Sequence, residues 1–326
     1  TENFLLKKEI KKIKNFFNCK NPNDAIAEFF YIIANLYATD DSFQLSNFYL
    51  KISLFLNNKF LPNNALLAEN FFYQKKYKKS KKAYELLKPI GPVYSWHAER
   101  NITQILIKEK GKEYAVKNLE KKFDLLLKPS FEHYYDLANF YKNNEYYKKS
   151  IKYYSLTLKT INNSNDLVPE IFYRRGTVYE RLDDWKNAER DFKKSIKIKP
   201  DEAEVLNYLA YSWIDQGINL DEALRMVKKA NTLKKEDGFI IDSLGWGYYA
   251  KKNYTEAEKF LQKAVELLPL DPTINDHYAD ALWKLNKSIQ ARYIWGNVLK
   301  LEDVDEKLKS AIYKKLLFGV TENYKN

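Results

Sequence analysis

Only one cysteine, Cys19, occurs in 326 residues, so neither an intrachain disulfide nor a cysteine-built metal site is available. Cytosol and periplasm both stay open on that ground. Histidine is scarce too. His97, His133 and His277 lie far apart, and none has a second His or Cys at ligand spacing, so no metal site is expected. Glycine and proline number nine each. An α/β enzyme of this length places more glycine in its turns, so the shortage favours an all-helical chain. No run of 18 or more apolar residues is present, so no membrane-spanning helix is expected. The chain opens on Thr1 rather than Met and reads as a mature or trimmed form, from which a signal peptide could have been removed.

What is abundant is lysine and aromatic residues, with 45% of the chain apolar. That is ample material for a core, either as two ordinary domains or as one elongated array. Net charge is +12, and it is unevenly placed. Residues 1–164 hold 28 Lys+Arg against 16 Asp+Glu, whereas 165–326 hold 27 of each. A partner drawn by charge alone should prefer the first half.

The chain repeats itself. In 169-PEIFYRRGTVYERLDDWKNAERDFKKSIKIKPDE-202, Gly176, Tyr179, Ala188, Phe192, Ser195 and Pro200 hold fixed offsets. In 238-GFIIDSLGWGYYAKKNYTEAEKFLQKAVELLPLD-271, Gly245, Tyr248, Ala257, Leu261, Ala264 and Pro269 hold the same ones. One small residue recurs as Ala34, Ala68, Thr103, Ala138, Gly176, Ala210, Gly245 and Ala279. A second recurs as Ser46, Ser80, Ala115, Ser150, Ala188, Ala223, Ala257 and Ala291. Helix axes close to 8 Å apart need small side chains at the crossing, so the two series mark where paired helices meet. The first three units are degenerate: Thr103 and Lys122 stand where small residues are wanted. The segment 160-TINNSNDLVPE-170 lengthens one step and reads as a hinge between halves.

The pattern resembles the tetratricopeptide repeat (TPR), two antiparallel helices in 34 residues, with small residues at positions 8, 20 and 27. The expected fold is all-α, a right-handed superhelix of about eight helix-turn-helix repeats with helical caps. The expected organisation is a basic N-terminal helix over 1–22, degenerate repeats one to four over 23–164, well-matched repeats five to eight over 165–303, and a closing helix over 304–326. The stretches 206-LNYLAYSWIDQGINLDEAL-224, 237-DGFIIDSLGWGYY-249 and 271-DPTINDHYADALWK-284 are similar to repeats of bacterial envelope TPR proteins. That group includes alphaproteobacterial-type proteins and a lipoprotein adaptor of a periplasmic carboxyl-terminal processing protease. The resemblance implies an envelope or periplasmic location, with the cytoplasm as the other option.

Asp242-Ser243-Leu244-Gly245 looks superficially like an esterase nucleophile. The block lacks Gly before Asp, and no His in the chain has Asp three residues before it to complete a triad. Asp40/Asp41 and Asp183/Asp184 fall in expected turns, where Asp caps the next helix. Gly245-Trp246-Gly247 lacks what a phosphate loop needs. Neither catalysis nor a cofactor is expected.

In this family, positions 2, 5, 9, 12 and 13 of the first helix line the concave face. The resemblance therefore implies a partner groove made of Tyr173, Asn207, Tyr211, Asp242, Trp246, Tyr249, Asp276, Asp280 and Trp283. Such a groove is acidic and aromatic and suits a protein or peptide with basic or amide-donating groups. The alternative is that some of these aromatics pack between repeats. The run 75-KKYKKSKK-82 reads as a solvated basic face with Tyr77 and Ala83 inward. The sharper reading of those lysines, and of Lys7, Lys8, Lys11, Lys12 and Lys14, is contact with an anionic membrane surface or RNA. A helical-repeat RNA binder using the basic half is the rival function, and the acidic groove weighs against nucleic acid.

Overall fold

Alternating helices and short turns account for nearly all of the described residues. The structure, a computed structural model, describes residues 21–302 and 304–321. The basic N-terminal helix expected over 1–22, with Lys7, Lys8, Lys11, Lys12, Lys14 and Cys19, lies outside the described residues apart from its last two positions. Seventeen α-helices and no strands occur among the described residues.

Two units divide between His133 and Tyr134. The first holds three antiparallel pairs: α1 (Pro22–Thr39) with α2 (Phe43–Leu56), α3 (Leu61–Tyr73) with α4 (Tyr77–Glu85), and α5 (Pro92–Lys110) with α6 (Lys112–Asp124). The division falls near the start of α7 (Phe131–Asn143), which is followed by α8 (Tyr147–Thr160). The second unit continues with α9 (Val168–Glu180) and α10 (Trp185–Ile198), α11 (Ala203–Asp215) and α12 (Leu220–Leu233), α13 (Gly238–Ala250) and α14 (Tyr254–Leu267), and α15 (Pro272–Lys284) and α16 (Ser288–Val298). A single helix, α17 (Glu306–Phe318), closes it.

Both series of small residues are buried at every pair. A side chain at Gly245 would place its Cβ 2.6 Å from Leu261 of α14, and one at Gly176 2.6 Å from the Phe192 ring of α10. Both lie under any normal carbon contact, so the helices meet there at a distance only glycine allows. A Cβ on Gly247 would instead press on Leu224 and Ile214 of the preceding pair, at 3.0 and 3.1 Å. The serines in the second series are not poor substitutes for alanine. Ser80 and Ser150 donate from Oγ to the carbonyls of Ala68 and Ala138 across the pair, at 2.7 and 2.9 Å. Burial of a hydroxyl is tolerated because it is satisfied at the crossing itself.

Helix starts follow capping chemistry. The Asp184, Asp237, Asp271 and Asp305 carboxylates accept backbone N–H groups in the first turns of α10, α13, α15 and α17. Of the paired carboxylates, Asp184 is a cap, while Asp41 and Asp183 hold the left-handed conformation that reverses the chain.

The segment expected to be a hinge is an ordered loop inside the second unit. Asn162 and Asn165 side chains accept the N–H groups of Ser164 and Leu167, and Ile161 and Val168 at its ends are buried. Polar bonds also join the helices it links, including Arg175 Nη1 to Ser155 Oγ at 2.8 Å. The lysines of 75–82 are exposed, with Tyr77 half-buried and Ala83 buried. No described helix is long and apolar enough to cross a membrane.

Candidate interaction face of the second unit

The first helices of consecutive pairs, α9, α11, α13 and α15, bring most of the expected groove residues to neighbouring positions. Tyr173, Asn207, Tyr211, Trp246, Tyr249 and Trp283 are each partly exposed. Tyr173 meets Tyr208 edge-on, with ring centres 5.8 Å apart. Trp246 stacks on Tyr249 at 4.4 Å and on His277 at 4.0 Å, both nearly parallel. Tyr211 lies 6.3 Å from the same imidazole. One aromatic string thus runs across three successive pairs. The Trp246 ring is engaged in two stacks within the chain, so it offers less free surface than the spacing of the repeat implies.

The aspartates are where expected on their helices but do not face open solvent. Asp242, Asp276 and Asp280 are all buried. A buried carboxylate needs a cation or several donors, and each of these has one. Both oxygens of Asp242 lie within 3.1 Å of His277 Nδ1. Lys315, on α17, donates to Asp276 at 2.7 and 2.8 Å and to Asp280 at 2.9 Å. The acidic groove is therefore neutralised from within, by side chains that the next helix along supplies. Neither His277 nor Lys315 follows from composition or local motif. Their partners stand 35 residues away, one repeat apart, as Asp242 does from His277 and Asp280 from Lys315.

Burial opposes charge on His277, but the Asp242 carboxylate, with Asp276 and Asp280 beyond it, outweighs this and raises its pKa above the ordinary value. Burial, and then the neighbouring Asp276, push the Asp280 carboxyl up to about 7. Lys315 is driven toward the neutral form by burial, but Asp280 and Asp276 prevail and its pKa is raised. Tyr211 and Tyr249 are raised by burial first and then by Asp242 and Asp280 respectively, so both remain phenols.

Trp283 lies at the end of the row, against the chain as it leaves α17. A Cβ at Gly319 would fall 1.9 Å from Trp283 Cζ2. At Asn207 the Oδ1 atom is sheltered and has no hydrogen-bond partner. Ser243 is buried in α13 and donates to the Phe239 carbonyl of its own helix at 2.9 Å, so its hydroxyl is committed to backbone.

A third buried ionic contact joins α9 to α10. Arg175 on α9 holds both oxygens of Asp191 on α10, at 2.6 and 3.0 Å, with Asp191 fully buried. The signal for it was a charge at a position that the neighbouring repeats fill with Leu137, Leu209 and Leu244.

Antiparallel helix pairs crossing at small residues define a helical-repeat protein. Family models of the tetratricopeptide repeat match residues 169–202 and 240–268. A TPR repeat-containing protein of Pseudomonas aeruginosa is 32% identical over 99 residues, covering 30% of this chain and 17% of its own length. The UDP-N-acetylglucosamine–peptide N-acetylglucosaminyltransferase of Giardia intestinalis is 30% identical over 196 residues, 59% of this chain and 12% of that protein. The chain spans less than a fifth of the length of these curated relatives. Among solved structures, a thermophilic TPR protein of Thermus thermophilus superposes with a TM-score of 0.48 at 18% identity, over 58% of this chain and 100% of that one. MamA of Desulfovibrio magneticus does so at 0.47 and 18%, over 56% and 99%. The chain carries tetratricopeptide repeats at 169–202 and 240–268, both in the second unit.

Proposed function

We propose that the protein is a non-catalytic interaction scaffold, and that the face formed by α9, α11, α13 and α15 is its partner site. The observation that carries this reading is the row of part-exposed Tyr173, Asn207, Tyr211 and Tyr249 on consecutive first helices. Large amphipathic rings supply contact area at low entropic cost. A peptide or helix of a protein partner fits such a row. The resemblance of 203–302 to envelope TPR proteins supports placing that partner in a bacterial envelope protease or assembly complex.

A photo-crosslinking residue at position 207, compared with one at Lys228 of α12, tests the face. The proposal expects protein adducts at 207 that Tyr211→Ala removes, and none in common with 228. The same adducts from both positions would refute it. Adducts to RNA instead of protein would favour the nucleic-acid reading.

A further inference from the structure

The C-terminal helix α17 occupies one end of this face. Lys315 is only 6% exposed, and its ammonium sits between two carboxylates one turn apart on α15. Past the helix end, Gly319 runs against the Trp283 ring. Three of the expected groove residues, Asp276, Asp280 and Trp283, are thus covered by the chain itself.

Two features mark α17 as an occupant rather than a fixed wall. The first is its chemistry. A cap needs only apolar packing, and burying a lysine between two acids stabilises less than a well-packed apolar group would. Paired carboxylates beside aromatic rings are instead what recognises an ammonium group. The second is how α17 is held. One apolar seam, Ile312 with Leu308, Leu316 and Val320, packs on Ala279, Trp295 and Val298. Tyr313, Leu317 and Phe318 on its outer side are 58%, 71% and 68% exposed. A helix packed on one side opens at lower free energy than its neighbours.

We propose that Asp276 and Asp280 form a lysine-recognition pocket, that α17 is its resident occupant, and that a lysine-bearing helix of a protein partner takes its place. This rests on the reading of the α9–α15 face as the partner site, and it names the chemistry of one end of that site.

The test uses a fluorescein-labelled peptide of residues 304–321, in native form and with Lys315→Ala. Each is titrated against the full chain and against the full chain carrying Lys315→Ala, whose own helix no longer fills the pocket. The native peptide should bind the variant chain at least tenfold more tightly than the wild-type chain. The Lys315→Ala peptide should bind the variant chain at least tenfold more weakly than the native peptide does. Adding Asp276→Asn and Asp280→Asn to the variant chain should erase that preference. Equal binding of the two peptides, or no binding to either chain, would overturn the proposal. Hydrogen exchange on the wild-type chain stands independently of how the variant folds. It should show α17 amides exchanging at least tenfold faster than those of α15, and equal protection would overturn the proposal. Adducts at position 207 that persist in spite of such a failure would show that the lysine pocket alone, and not the interaction face, is wrong.

Discussion

Arg175 and Asp191 show how one residue can depart from the repeat and still be held in it. The guanidinium enters a position its neighbours give to leucine, lies 5.7 and 5.8 Å from the Phe172 and Tyr179 ring centres, and is bound by both Asp191 oxygens. Removing one member leaves a buried charge alone. Asp191→Ala should therefore lower the stability of the second unit by about 3–5 kcal/mol, whereas Arg175→Leu with Asp191→Leu should be close to neutral. Urea unfolding followed by tryptophan fluorescence checks both, and equal losses would contradict the account. The His277 and Asp280 shifts have a common sign. Both pKa values are raised on folding, so the folded chain holds protons that the unfolded chain has released. The contribution of Asp280 is complete below the unfolded carboxyl value, about 4, and is lost as pH rises through about 7. That of His277 is complete below about 6.5 and is lost above it as pH passes the raised value. Stability should fall between pH 5 and 8, with a slope of at most about 1.4 kcal/mol per pH unit for each proton, and Asp280→Asn should flatten it. An unchanged slope in Asp280→Asn would exclude that carboxyl as a source. The positions of these residues were legible in the repeat spacing, but their burial was not. Which cation meets Asp242 or Asp276 depends on a side chain one repeat away, and local patterning carries no trace of it.

At the scale of the element, the turn between paired helices is built the same way almost everywhere. Asp41, Lys75, Glu145, Asp183, Gly217, Lys252 and Asn286 each follow the small crossing residue by seven, and each has positive φ. The left-handed conformation costs an L-residue about 1–2 kcal/mol that glycine avoids, less the extra entropy glycine loses on folding. Lys252→Gly should accordingly stabilise the second unit by about 0.5–1 kcal/mol in the same urea assay, and a loss would show that the lysine has contacts outweighing its backbone strain. These turns explain why glycine scarcity pointed to helices yet concealed the turn geometry, since a lysine at φ +61 leaves no compositional mark. The helices themselves were legible, because a crossing that admits only Gly, Ala, Ser or Thr repeats without exception. Ser80 and Ser150 in the second series also carry a hydroxyl bonded to the opposite helix.

For the whole molecule, the eight pairs and the closing helix follow from the repeat, while the division into units does not. The long loop at 161–167 is dense in Asn and Ser, yet Asx turns close it, its ends are buried and it lies inside the second unit. The division near His133 has no matching change in composition. The second unit carries the better-matched repeats and the aromatic row, and the first carries most of the excess positive charge. The central claim is that partners bind along α9, α11, α13 and α15. Hydrogen–deuterium exchange of the full chain, alone and saturated with a partner captured through position 207, tests it most directly. The account predicts new protection on those four helices and increased exchange in α17, with α10, α12 and α14 unchanged. Protection concentrated on α10, α12 and α14 would contradict it.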